Sequence, residues 1–285
     1  MTALSDERII QSSILRVASQ VVRGEYFAGL FFIGCVSGLT SRLVQSVHEN
    51  GWADALYGTF GISLIVWVSF VAGLSLLLRD KTVGISASDL RLSAGFVFLI
   101  VLPVGSLSWI AVTGLSLYVV ASTVVASSRR GASILLAATV PMFWSPMLFQ
   151  FCSPIILAVD AKLVSCLLGT DRTGNIVGFA DGSAQLVIYP ACSSLVNVSL
   201  AFLCWVTMSQ WVNHRKSPYD IFWCLLACAA VITVNVSRIT IAGLSQWHYA
   251  TFHSEAGDAV VNLLILGLIV GICALGVRRE LFQRT

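Results

Sequence analysis

Charge is what this sequence has least of. Only 11% of its 285 residues are charged, where a soluble globular domain carries about 25%. Hydrophobic residues make up 57%, and the mean hydropathy is +0.87. No stretch is polar enough to fold as a separate soluble domain, so a single membrane domain over 1–285 is expected. No cleaved leader is expected: the first 25 residues hold Asp6, Glu7, Arg8, Arg16 and Arg23 among short apolar runs. That pattern predicts an amphipathic segment over 1–25 on the inner membrane surface rather than a cleaved signal peptide. The eight cysteines match no zinc or haem spacing. Cys224 and Cys228 share a helical face with no histidine or acidic neighbour, so no metal or cofactor is expected. Seven of the eight read as small buried hydrophobes. The net charge of +3 says little, because in a membrane protein the placement of basic residues matters more than their sum. No nucleic-acid partner is expected. Internal repeats and paired broken helices are missing as well, which removes the usual signature of a secondary transporter.

What the chain does have is apolar runs of about 20 residues, each able to cross a hydrocarbon core about 30 Å thick. In order they cover 26–47, 55–78, 92–109, 111–127, 132–149, 191–212, 219–244 and 256–277. They predict an all-α polytopic membrane protein with about eight transmembrane helices. Between the fifth and sixth runs lies the segment 150–190. Its first part, 153–168, is apolar but interrupted by Asp160 and Lys162, which predicts a short re-entrant or interfacial helix. Its second part, 175–189, carries β-branched residues around Asp181-Gly182 and predicts a β-hairpin. The basic residues set the orientation. With the N-terminus inside, the inner segments hold Arg8, Arg16, Arg23, Arg79, Lys81, Arg91, Arg129, Arg130, Arg215, Lys216, Arg278, Arg279 and Arg284. That is 13 of the 17 basic residues, and Arg42, Lys162, Arg172 and Arg238 fall on or near the other side. The positive-inside rule therefore predicts a cytoplasmic-membrane protein with both termini in the cytoplasm and 150–190 outside. Gly34-x-x-x-Gly38 and Gly267-x-x-x-Gly271 would allow close helix approach, a pattern that also arises by chance in glycine-rich spans.

This orientation brings three chemically capable residues to outer helix ends: Cys192, Arg238 and His253. Cys192 follows Tyr189-Pro190-Ala191 and opens the sixth run, where Pro190 suits a first helical turn. A thiol in that turn would feel the positive end of the helix dipole, which favours the thiolate. Arg238 lies inside the seventh run, where a charge costs at least about 2.5–3.5 kcal/mol and so calls for a partner or a function. His253 lies in the outer loop 245–257. The three would make a thiol site: Cys192 as nucleophile, His253 as general base and acid, and Arg238 as oxyanion or substrate ligand.

The stretch Ala191-Cys192-Ser193-Ser194-Leu195, then Asn235-x-x-Arg238-Ile239, then Phe252-His253-x-x-x-Gly257 resembles the exosortase/archaeosortase family. The likeness covers about 167–271, and the first half agrees only in being a bundle of spans. The resemblance implies a multi-span enzyme with an essential Cys, Arg and His at the extracytoplasmic face. Its substrates would be membrane-anchored proteins with a C-terminal sorting signal: a short motif, a transmembrane helix and a basic tail. Cys192 would cleave near the motif, form a thioester and pass the protein to an acceptor. Arg238 and His253 match the family's Arg and His, and His248 is a rival for the base. His214 falls on the cytoplasmic side. One departure is plain: the family's Cys-Ser-Gly is Cys192-Ser193-Ser194 here, and Ser adopts the special conformations of Gly less easily. Tyr189 and Asn235 are candidate supporting groups. The alternatives are a non-enzymatic transporter or channel subunit, drawing on polar residues in spans such as Thr113, Asn197, Asn235 and Asn262, or another membrane enzyme such as an acyltransferase.

Overall fold

A computed structural model describes residues 20–278 apart from Pro103 and Lys216. The amphipathic segment expected over 1–25 falls almost wholly outside the described residues. The chain divides into two compact units, Met1–Thr139 and Val140–Thr285. Five helical runs are long and apolar enough to cross a membrane: Arg23–Tyr57, Gly105–Ser122, Ala126–Leu168, Tyr219–Ala242 and Ala256–Gly276. With a sixth, shorter apolar helix at Leu64–Leu77, they make the chain a helical membrane protein.

The first unit holds α1 (Arg23–Tyr57), α2 (Leu64–Leu77), α3 (Ala87–Val101), α4 (Gly105–Ser122) and α5 (Ala126–Thr139). Serines set two of the starts. Ser63 caps α2, and Ser86 forms a reciprocal capping box with Asp89 at α3. The third and fourth runs divide between α3, which ends at Val101, and α4, which starts at Gly105, before the expected break near 110. Small residues govern the packing of α1 on α4. A Cβ added to Gly34 would meet Val112 at 2.8 Å, and one on Gly38 would meet Trp109 at 2.7 Å, so this pair is a true close-approach surface. Gly267 and Gly271 differ: among the described residues nothing lies within 4 Å of a Cβ there. Arg23 donates Nε and Nη2 to Asp89 at 3.0 and 2.9 Å, and Tyr118 donates to the same carboxylate at 2.7 Å. Asp89 is 2% exposed, so the paired charge is enclosed with its partners.

The second unit begins with a π-helical turn, Val140–Trp144, and continues through α6 (Ser145–Leu168). The chain then forms β1 (Arg172–Thr173), β2 (Ile176–Gly178) and β3 (Gln185–Val187). Next come a 3₁₀ turn, Pro190–Cys192, and the helices α7 (Ser194–Trp211), α8 (Tyr219–Ala242), α9 (Gln246–Phe252) and α10 (Glu255–Gly276). The segment 153–168 is the continuous C-terminal part of the 24-residue helix α6 and does not turn back on itself. Asp160 does not break that helix, because it is buried with hydrogen-bond partners, while Lys162 is exposed. Gly169 ends the helix in a left-handed conformation, φ 67°.

Three short antiparallel strands follow, in the order β1-β2-β3, where the sequence predicts a two-stranded hairpin. Asp181 sets the turn between β2 and β3 by accepting from the backbone N–H and the hydroxyl of Ser183. Alternation decides which side of β3 is buried. Leu186 and Ile188 face inward with Val177 onto Leu157, Ala161 and Val164 of α6 and Val236 and Ile239 of α8.

Candidate functional site

Within the second unit α8 holds together the segments that carry the candidate residues. Asn235, 2% exposed, donates Nδ2 to the carbonyl of Cys192 at 2.7 Å and to Ser194 Oγ at 3.0 Å. Three residues along the same helix, Arg238 donates Nη2 to the carbonyl of Phe252 at 3.3 Å and pairs with Asp258. Residues three apart lie on one helical face about 4.5 Å apart along the axis. One face of α8 therefore grips the Cys192 turn at one point and the chain beside His253 at the next.

Cys192 stands two residues earlier than a first-turn thiol would. It ends the 3₁₀ turn, Ser193 caps α7 by accepting from Leu195 N–H, and the helix starts at Ser194. The positive end of α7 is taken by a carboxylate: Asp160 accepts from Ser194 N–H at 3.2 Å and from its hydroxyl at 3.0 Å. The helix terminus thus fixes Asp160, and the Cys192 turn hangs from it through Ser193 and Ser194. Ser194 has helical backbone geometry and is not among the positive-φ residues, so the position does not require glycine. Its hydroxyl joins Asp160 to Asn235 instead. Cys192 is half-buried and packs, with Tyr249, against the cluster of α6, sheet and α8 side chains.

His253 closes α9. Its Nδ1 lies 3.1 Å from the carbonyl of Tyr249, and since a carbonyl only accepts, Nδ1 carries the proton and Nε2 keeps its lone pair in the neutral ring. The imidazole stacks on Tyr249, centroids 4.1 Å apart and planes 23° from parallel. Gly257 lets α10 start close by: a Cβ there would meet the Thr251 carbonyl at 2.5 Å and Phe252 Cα at 3.1 Å. His248 is placed otherwise, its Nδ1 facing Ser245 Oγ at 2.8 Å at the start of α9. Tyr189 is 58% exposed and contributes no side-chain hydrogen bond among the described residues.

Arg238 and His253 are therefore brought to one stretch of chain, and the backbone of Cys192 to the helix that carries Arg238. No hydrogen bond among the described residues joins the Cys192 thiol to either side chain. Two residues were missed as members of the site. Asp258 was foreshadowed by the rule that an arginine in a membrane helix needs a partner. In the sequence Asp160 shows only as an interruption of an apolar run. Among the described residues no group of three or more His, Cys, Asp or Glu could hold a metal ion. No family model, no curated protein and no solved structure matches the chain.

Proposed function

We propose that this chain is an exosortase-like membrane cysteine peptidase or transpeptidase. It would cut a C-terminal sorting signal from exported, membrane-anchored proteins and pass them to an acceptor. The observation that carries the reading is the double grip of α8: Asn235 on the carbonyl of Cys192 and Arg238 on the carbonyl next to His253. Of these, Cys192, Arg238 and His253 are the three residues that the family likeness implies are essential. In the chemistry, Cys192 Sγ adds to a peptide carbonyl carbon while its proton passes to His253 Nε2. The carbon–nitrogen bond then breaks, and His253 returns the proton to the leaving amine. The thioester left on Cys192 is opened by an amine, a glycan hydroxyl or water. Arg238, charge-compensated by Asp258, has further N–H groups for the tetrahedral oxyanion.

The sheet offers a way to hold the substrate. Ile188 N–H bonds the Asn175 carbonyl, and Phe179 N–H bonds the Ala184 carbonyl. Alternation along an antiparallel pair then turns the N–H and C=O of Gln185 and Val187 away from β2. An extended peptide added along that edge would be directed by Ile188–Pro190 toward Cys192. The orientation belongs to the same proposal: eight crossings, a basic cytoplasmic side holding both termini, and the sheet and site outside.

Mass spectrometry of membrane proteins tests the activity. In cells making the Cys192→Ala chain, a set of proteins should keep a C-terminal apolar helix and basic tail that cells with the wild-type chain remove. Identical C-termini in the two cell types would refute the reading.

A further inference from the structure

At the opposite ends of α8 and α10 from the candidate site lies a cavity of about 480 Å³, within the size range of small-molecule sites. Its lining includes Arg215, Tyr219, Asp220, Trp223 and Arg278, with Gly276 at the end of α10. Both helices that frame it are long and apolar enough to cross a membrane, so the cavity opens where such helices meet the headgroup layer. Aromatic residues with one polar edge, as Tyr219 and Trp223 are, belong at that level.

The charges in the lining are unequal in their freedom. Asp220 is engaged on both oxygens, by His214 Nε2 at 3.0 Å and by Ser217 N–H at 3.2 Å. His214 is also held edge-on to Trp205, with ring centroids 6.2 Å apart. Arg215 and Arg278 are exposed and have no hydrogen bond or ion pair among the described residues. Two guanidiniums with no partner among the described residues thus flank a pocket in which the one lining carboxylate, Asp220, is already occupied. Planar, multi-donor guanidinium groups match phosphate oxygens two at a time. Basic pockets between membrane helices are where anionic headgroups bind.

We propose that this cavity binds the phosphate-bearing headgroup of an anionic phospholipid, with Arg215 and Arg278 on the phosphate and Tyr219 and Trp223 beside the glycerol. The site is independent of the proposed thiol chemistry, which lies at the other ends of the same helices.

Native mass spectrometry of the full chain in detergent tests it, with dioleoyl phosphatidylglycerol and dioleoyl phosphatidylcholine as competing probes. The wild type should retain one phosphatidylglycerol in preference to phosphatidylcholine. The double variant Arg215→Ala/Arg278→Ala should lose that preference by about thirty-fold, the loss expected for two cations near a lipid surface. Arg129→Ala, an exposed arginine of α5, should retain it. Equal retention of the two lipids by the wild type would overturn the proposal, as would an equal loss in Arg129→Ala, which would mean diffuse charge attraction only. Displacement of phosphatidylglycerol by millimolar inorganic phosphate alone would also overturn it, by showing a free-phosphate site. A thermal unfolding scan of each variant separates loss of the site from loss of the fold.

Discussion

At the residue scale, the arginine is the position where membrane physics and chemistry coincide. A guanidinium in an apolar helix needs a counter-charge, and Arg238 has one in Asp258. If Arg238 also stabilises an oxyanion, Arg238→Ala should slow processing by about 10²–10³-fold, with Arg238→Lys recovering part of it. His253→Ala should cost about 10²–10⁴-fold, the range for a general acid–base group, and His248→Ala far less because its ring faces Ser245. Rates of C-terminal trimming in isolated membranes would rank these variants, and equal losses for the two histidines would contradict the assignment of the base. Asp258→Asn should lower trimming with little change in substrate affinity, and Asp258→Glu should restore part of it.

At the scale of elements, the turn before α7 differs most from expectation. The sequence shows a proline, a cysteine and an apolar run, which reads as a helix that starts at the cysteine. The structure delays that start because Ser193 has a capping hydroxyl and Asp160, 34 residues earlier, reaches the first helical N–H. Local propensity cannot reveal a partner that distant, which is why Asp160 read as an interruption. The Cys, Arg and His stand out because each is costly or reactive in or beside an apolar run, whereas Gly257 is marked only by the family likeness, and its close approach to Thr251 and Phe252 is visible only in the structure. Ser194 yields a prediction against the family pattern. Ser194→Gly, which restores the family's glycine, should destabilise the chain by about 1–2 kcal/mol through loss of the Asp160 and Asn235 bonds. Asn235→Ala should cost about 1–3 kcal/mol by leaving the Cys192 carbonyl without its donor. Both are read from thermal unfolding in detergent, and a Ser194→Gly chain as stable as wild type would show that the hydroxyl contributes nothing.

For the whole molecule, composition makes the membrane class legible, and long apolar runs mark the five helices long and apolar enough to cross a membrane. What it could not give was the division into two compact units, which depends on side-chain contacts between distant helices. The first unit carries a pH dependence of its own. Burial tends to raise the Asp89 carboxyl, but hydrogen bonds from Arg23, Tyr118 and Ser86 outweigh it and hold the group well below the usual carboxylate range. At Asp80, burial is likewise outweighed by bonds from Ser128 and Thr82. A depressed folded-state value stabilises above the unfolded value, about 3.9, and the contribution is lost as the pH falls through the folded value. Stability should therefore be flat with respect to these groups from pH 7 to about 5 and fall below about 4. Asp89→Asn should be less stable at neutral pH and should lose less on acidification, as followed by helical circular dichroism. The proposed thiol chemistry, which requires a reactive Cys192 at the outer face, is put to the test by labelling intact cells with a membrane-impermeant thiol reagent. It predicts rapid modification at neutral pH that is absent in Cys192→Ala and slowed in His253→Ala. A thiol that resists this reagent while yielding to small permeant ones would contradict the claim, because Cys192 would then be sealed from the outer face.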